Sequence, residues 1–374
     1  MSFTNTAVFL QPDERIGDFI IEKPLPQGKG GMATVYIARP RHADSDLPPR
    51  VALKISRSEH QSFIKHEAEM LRRFAHPHVP RLYALPRYPG HFLGHTDARL
   101  GPVFYYAMEY INGGNLRRRL DRGRLPPYQA IAIACQLADA LVHIHSRRVI
   151  NLDIKPENVL LRHRWGESFR WQSPQVVLCD FGIARALGEP GFGITAASIP
   201  YVSPEQAYES GNQAKKNAVT TTADLFLLGM VLYEMLTGAP PFADLIQIVD
   251  ASFQPPPPAQ LVPGLPVGLD YITQRALARD VSRRYQRAEE MLADLRQVSF
   301  VNWRALQSWL AVGLAVGVLG WGATQLEPPT WGQFADTATP TVMNTETAVP
   351  PPTSSMTPVP PTAVTPSSTP TPLP

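Results

Sequence analysis

Val149 to Leu161 reads VINLDIKPENVLL and sets Asp153, Lys155 and Asn158 between two short apolar runs. That pattern predicts a loop flanked by strands, with three polar side chains presented together. Aspartate, lysine and asparagine are ordinary loop residues and Pro156 alone accounts for a turn, so the stretch draws its meaning from residues elsewhere in the chain. One is the glycine-dense turn Gln27-Gly-Lys-Gly-Gly-Met-Ala-Thr-Val-Tyr-Ile-Ala38. Glycine removes the Cβ that would keep a ligand off the backbone, so such a turn can approach a ligand closely. A proline-containing connection then leads to Val51-Ala-Leu-Lys54, a strand ending in a lysine, and Glu67 and Glu69 follow as two carboxylates able to meet it. Asp180-Phe-Gly182 adds a further acidic turn after the apolar run Val176 to Cys179.

The elements that must position these residues are legible in the periodicity. Arg15 to Leu25 alternates as a strand, and Ser58 to Phe74 places Phe63, Ile64, Ala68 and Leu71 at helical spacing. Val79 to Leu85 and Val103 to Met108 read as strands, with the polar insertion Pro86 to Pro102 between them. Asn112-Gly-Gly-Asn115 breaks the pattern and predicts a hinge between two lobes. Beyond it the period becomes 3.6. Pro127 to Ser146 carries Ala130, Ile133, Ala134, Leu137 and Leu141 on one stripe, with proline in the first turn. Ala223 to Thr237 is apolar nearly all round and predicts a buried helix, and Gly268 to Leu295 supplies two more. Arg117 to Arg119 reads as a solvated helix face.

A net charge of +3 with no block of five or six like charges gives no case for nucleic acid. The two cysteines, Cys135 and Cys179, lack metal-ligand spacing and read as reduced core residues, which implies a reducing compartment. The first residues lack the pattern of a secretory signal. Ala305 to Leu326 carries no charge and would be roughly 33 Å long as a helix, enough to cross a membrane. Trp303, Trp309 and Trp321 lie near its ends, arginines precede it and neither lysine nor arginine follows, so its N-terminal side is expected to be cytoplasmic. Gly313 and Gly317 form a small-residue face that would allow helices to pair into a homodimer. The remaining tail is rich in proline, threonine and serine and is expected to be disordered.

In their order, these motifs resemble the eukaryotic-type Ser/Thr protein kinases of bacteria, especially membrane-anchored ones. The resemblance covers about Ile16 to Val298. It implies an α+β, bilobal kinase fold with a small β-rich N-lobe and a larger helical C-lobe. The expected organisation is an extension at 1–15, a kinase domain at 16–298, a linker at 299–305, a transmembrane helix at 306–326 and an extracytoplasmic tail at 327–374, in a single-pass bacterial membrane protein. It further implies ATP and Mg2+, with Mn2+ as the other candidate, protein substrates bearing Ser or Thr, and autophosphorylation. Gly28, Gly30 and Ala33 stand at the phosphate-covering positions, the third with alanine in place of the family's glycine. Val35 and Ala52 match residues that sandwich adenine, Met108 the residue guarding the back of that pocket, and Glu109 and Ile111 the hinge residues whose backbone meets the adenine edge. Lys54 matches the lysine on the α- and β-phosphates and Glu67 its helical partner, which leaves Glu69 solvated. Asp153 matches the residue that accepts or orients the substrate hydroxyl, Lys155 its neighbour at the γ-phosphate, and Asn158 and Asp180 the metal ligands. Ser198 matches the substrate-pocket threonine, and Thr195 and Ser198 are candidate phosphosites. Glu205 with Arg284 matches an architectural ion pair, and Asp224 the residue that holds the catalytic loop's backbone.

One departure stands out. The family usually has His-Arg before the catalytic aspartate, and this chain has Asn151-Leu152. Leu152 cannot pair with a phosphorylated activation loop, which implies activity that depends little on such phosphorylation, and Asn151 is expected to fill the histidine's space less well. Two other readings stay open: a pseudokinase that binds nucleotide or a partner as a membrane scaffold, and an adaptor acting through the proline-rich tail.

Overall fold

The computed structural model describes residues 10–29, 33–42, 46–98, 101–165, 174–189, 201–211, 219–250, 252–266 and 268–298. The expectations for 299–305, 306–326, 327–374, Gly30, Thr195 and Ser198 lie outside these residues. Among the described residues no helix is long and apolar enough to cross a membrane.

The N-terminal part is sheet. Strands β1 (Arg15–Ile16), β2 (Phe19–Lys29), β3 (Thr34–Pro40) and β4 (Val51–Arg57) precede helix α1 (Gln61–Leu71), and β5 (Leu82–Tyr83), β6 (Gly94–Ala98) and β7 (Gly101–Glu109) follow it. The strands pair antiparallel in the order β1-β2-β3-β4-β7-β5, with β6 also on β7. Alternation along the strands separates two faces. Tyr36, Ala38, Val51, Leu53, Ile55, Val103, Tyr105 and Ala107 join one apolar cluster. The opposite face therefore carries Val35, Ala52, Lys54, Tyr106 and Met108, brought abreast by the pairs Val35–Lys54, Ala52–Met108 and Lys54–Tyr106.

The structure adds one strand to this part and shortens another. The insertion Pro86 to Pro102 contributes a sheet strand, β6, whose Ala98 pairs with Gly101 in a hairpin with β7; Gly101 takes the positive φ such a turn needs. Of Val79 to Leu85, only Leu82 and Tyr83 pair with β7, because Pro80 has no N–H to give and Leu85 turns back onto Tyr88.

The C-terminal part is helical. Its elements in order are α2 (Leu116–Leu120), α3 (Pro127–Ser146), β8 (Val149–Ile150), β9 (Val159–Leu161), β10 (Val176–Leu178), β11 (Arg185–Ala186), α4 (Pro204–Gly211), α5 (Thr221–Thr237), α6 (Leu245–Val249), α7 (Pro258–Leu261), α8 (Leu269–Ala276) and α9 (Ala288–Gln297). The predicted stripe of α3 is wholly buried, and α3 packs on α5 and α9. Each fully buried leucine or isoleucine in that interface is worth about 1.5–3 kcal/mol of transfer free energy. Helix α5 is buried from Thr222 to Leu236, begins at a Thr220 side-chain cap and ends at Gly238 with φ +90°.

The joint between the parts is held at Gly113. Its N–H donates to Leu161 O at 2.9 Å, Leu161 N–H returns a bond to Gly114 O at 2.8 Å, and a Cβ on Gly113 would lie 2.2 Å from Leu161 O. Only glycine permits this approach of the hinge to β9.

Candidate active site

Two short ladders, β8 with β11 and β9 with β10, bracket the loop 151–158 and the turn 179–182. The loop is fixed from beneath by Asp224, in the first turn of α5. Its carboxylate accepts the N–H of Asn151 at 2.9 Å and of Leu152 at 2.8 Å, and also meets His145 Nε2 at 2.8 Å. Gln206 Nε2 donates to Leu152 O at 3.0 Å. These bonds hold Leu152 at φ +66°, a conformation a leucine does not adopt unaided.

Above that floor the polar residues converge. Lys155 Nζ donates to both Asp153 carboxylate oxygens at 2.7 and 2.9 Å, and Asn158 Nδ2 donates to Asp153 O at 2.9 Å and Oδ2 at 2.7 Å. Across the cleft, Lys54 Nζ lies 2.6 Å from Glu67 Oε2 and 3.6 Å from Asp180 Oδ1. Glu67 is buried on the inner face of α1 with Ile64, Ala68 and Leu71, and Glu69 is exposed. The turn's Phe181 N–H points at Glu67 Oε1 at 3.4 Å, and His66 Nε2 contacts Ala184 O at 2.5 Å, so α1 is tied to the segment after Asp180 at two adjacent residues.

Electrostatics follow from this packing. Burial pushes the Asp153 carboxyl up to about 6, with Lys155 opposing and Asp180 adding to the rise. Lys54 holds Asp180 below the usual carboxylate range. Burial opposes the charge on Lys54, but Asp180 and Glu67 outweigh it and its pKa is raised. Three carboxylates, Glu67, Asp153 and Asp180, thus face two ammonium groups, Lys54 and Lys155, which leaves an excess of negative charge.

The donor set suits a hard divalent cation that completes its shell with phosphate and water oxygens. The Asp180 side chain is 41% exposed to the cleft, and Asn158 spends its amide nitrogen on Asp153, which leaves Oδ1 as an acceptor. Among the described residues no group of three or more His, Cys, Asp or Glu is arranged to hold a metal by itself. The remaining expected residues lie nearby. Val35, Ala52 and Met108 share the cleft face of the sheet with Lys54. Glu109 N–H is engaged with Arg81 O at 2.8 Å, and its side chain pairs with Arg162. Ile111 is buried just beyond, Gly28 lies in β2, and Ala33 lies beside β3. Arg284 donates to both Glu205 oxygens, at 2.7 and 3.0 Å.

A model of the protein kinase domain matches residues 23–288. This chain belongs to the protein kinase domain family. It is 34% identical over 287 residues to the serine/threonine-protein kinase PknB of Mycobacterium leprae, covering 72% of this chain and 42% of that protein. It is 32% identical over 329 residues to PknJ of Mycobacterium tuberculosis (84% and 50%) and 32% identical over 283 residues to PrkC of Bacillus subtilis (72% and 39%). The chain therefore spans half or less of the length of these relatives. The kinase domain has the sheet-rich N-terminal part and helical C-terminal part the sequence implied.

Several expectations for this domain need correction. Asn151 does not sit loosely in place of the family's histidine. It is fully buried, its Oδ1 accepts Asp153 N–H at 3.1 Å and its Nδ2 donates to Asp180 O at 3.3 Å. It thereby links the backbones of the loop and the acidic turn, including Asp180 at φ +66°. Leu152 packs with Ile150, Val219, Ala223 and Ile183 in a small apolar cluster. Arg117 is not a solvated residue: it bonds Glu157 at 2.7 Å, Glu234 at 2.5 Å and the Tyr201 hydroxyl at 3.1 Å, tying α2 to the loop and to α5. The two cysteines are free but only partly buried, and Cys179 adjoins the charged cluster, where burial and then Asp180 raise its pKa. His145, Gln206 and His66 carry no sequence signal, since what each does for the site depends on a partner distant in the chain.

Proposed function

We propose that this chain is an ATP-dependent serine/threonine protein kinase. The observation that carries this reading is the joined set of Lys54 with Glu67 on one side of the cleft and Asp153 with Lys155 and Asn158 on the other, with Asp180 between them. Lys54, held by Glu67, would meet the α- and β-phosphates under the turn containing Gly28, Gly30 and Ala33; Val35, Ala52 and Met108 would enclose adenine, with the backbone of Glu109 and Ile111 at its edge. Asn158 and Asp180 would hold Mg2+ or Mn2+, which supplies neutralisation of phosphate charge. Asp153 would orient the substrate hydroxyl and take its proton, Lys155 would steady the transferring group, and Ser198 would line the substrate pocket. The retention of all these groups in working geometry favours catalysis over a pseudokinase scaffold. Transfer of labelled phosphate from ATP to a protein substrate or to the chain itself tests the reading; no transfer with either metal overturns it.

The basic residues before 306–326, their absence after it and the flanking tryptophans support a single-pass membrane protein with the kinase domain cytoplasmic and the tail outside. Gly313 and Gly317 support pairing of two such helices and autophosphorylation between them.

Two expected results bear on the mechanism. Asp153 accepts a proton only when ionised, so kcat/KM should fall about tenfold per pH unit below about pH 6 and level off above it. The same shift makes the folded chain bind more protons than the unfolded one between about pH 4 and 6, so Asp153 favours the fold at the acid end and loses that contribution as pH rises. A pH profile of initial rates, beside thermal melts in the same buffers, checks both. Second, Leu152 presents an apolar side chain where a phosphate-binding cation would stand, and its own cluster anchors the loop. Thr195→Ala should therefore keep transfer within about threefold of the parent rate, in contrast to the 1–3 charge-assisted bonds a phosphate can contribute elsewhere; loss of activity would overturn this.

A further inference from the structure

Tyr106 stands on β7 directly opposite Lys54 on β4, on the sheet face that looks into the cleft. It is fully buried within the apolar cluster that includes Ile64, Ala68 and Leu71 of α1 and Phe181 of the acidic turn. Phenylalanine would fill the same volume, so packing gives no reason for the hydroxyl. Yet that hydroxyl is sealed from solvent and makes no hydrogen bond of ordinary geometry, an arrangement that costs free energy unless a partner is close. The groups facing it are the Glu67 carboxylate, Asp180 and Cys179.

Glu67 is the suitable acceptor. An ionised carboxylate has about four acceptor positions. Lys54 approaches both oxygens, at 2.7 and 2.6 Å, and Phe181 N–H lies 3.4 Å from Oε1, so at least one position remains. A phenol donating to that position would satisfy the hydroxyl without displacing Lys54 or Phe181 N–H.

We propose that Tyr106 is a positioning residue whose hydroxyl donates to the Glu67 carboxylate and holds α1 where Glu67 reaches Lys54. Glu67 is then gripped from the sheet by Tyr106 and Lys54 and from the acidic turn by Phe181 N–H. The sheet thereby reports the position of α1 through a side chain that touches neither nucleotide nor substrate. The expected effect on rate rests on the kinase reading given above; the hydrogen bond does not.

The test is a thermal-stability cycle on the full chain with Tyr106→Phe, Glu67→Ala and both together, alongside initial rates against ATP concentration. A hydrogen bond predicts that Tyr106→Phe lowers Tm by a few degrees in the parent chain and leaves it unchanged or higher in the Glu67→Ala background. A Tm that is unchanged or higher in the parent chain overturns the proposal, because it is the signature of an orphaned hydroxyl removed. The rates should show kcat reduced about threefold to tenfold with KM for ATP within about twofold, since the residue acts on alignment rather than on nucleotide contact. Parent-level kcat overturns the positioning role. If the parent chain itself transfers no phosphate, the kinase reading fails and the stability cycle alone decides on the bond.

Discussion

Asp153→Asn in the full chain should reduce phosphate transfer by about 10³-fold or more while melting no lower than the parent. The first half of this expectation comes from position. Asp153 is the carboxylate around which Lys155 and Asn158 are arranged, and asparagine keeps its shape while removing the basic site for the hydroxyl proton. The second half comes from burial. The Asp153 carboxyl is pushed up to about 6 even with Lys155 beside it, so at neutral pH the fold holds a charge it would rather lose. A neutral isostere relieves that cost at the expense of one ion pair. Stability and activity should therefore move apart, as they do where a strained site serves function. Rate assays with labelled ATP and thermal melts on the same preparations check this; transfer within about tenfold of the parent would remove Asp153 from the proton's path.

The parts of this site that the sequence disclosed are those whose signal is local. The stripe of α3 and the all-apolar run of α5 need no partner to be recognised, since period and composition alone place them inside. Lys54, Asp153, Asn158 and Asp180 were legible as residue types beside glycine, proline and short apolar runs. What was hidden depends on distant groups. Arg117 lies in a run of arginines that reads as solvated, and only the fold brings up Glu234, 117 positions away, to pair with its charge. The strand Gly94–Ala98 reads GHTDA, with neither β-branched enrichment nor clean alternation, and exists because β7 offers an edge. The role of Asn151 is hidden for a related reason. Its value lies in two backbone groups, Asp153 N–H and Asp180 O, which side-chain size does not report.

The ion pair of Arg284 with Glu205 should show the opposite behaviour to Asp153, with a large effect on the fold. Arg284→Met is expected to cost about 3–5 kcal/mol, and roughly 10 °C in Tm for a domain of this size. Arg284 is 1% exposed and Glu205 9%, so removing the guanidinium strands a carboxylate with no other hydrogen-bonding side chain among the described residues. The damage should be asymmetric. Arg284 also donates to Ala278 O at 2.6 Å and Arg279 O at 3.4 Å and lies over the Phe226 ring at 4.7 Å, so Glu205→Gln leaves it with partners, and the amide oxygen can still accept. Glu205→Gln should therefore lower Tm by less than half as much as Arg284→Met. Because Glu205 opens α4, just after the segment that carries Tyr201 against Arg117 and Glu234, loosening it should also weaken the hold of those two residues on Tyr201. Urea or thermal melts of the two variants decide the point: equal losses would mean that packing of the two stems, rather than a buried charge left without its partner, sets the stability here.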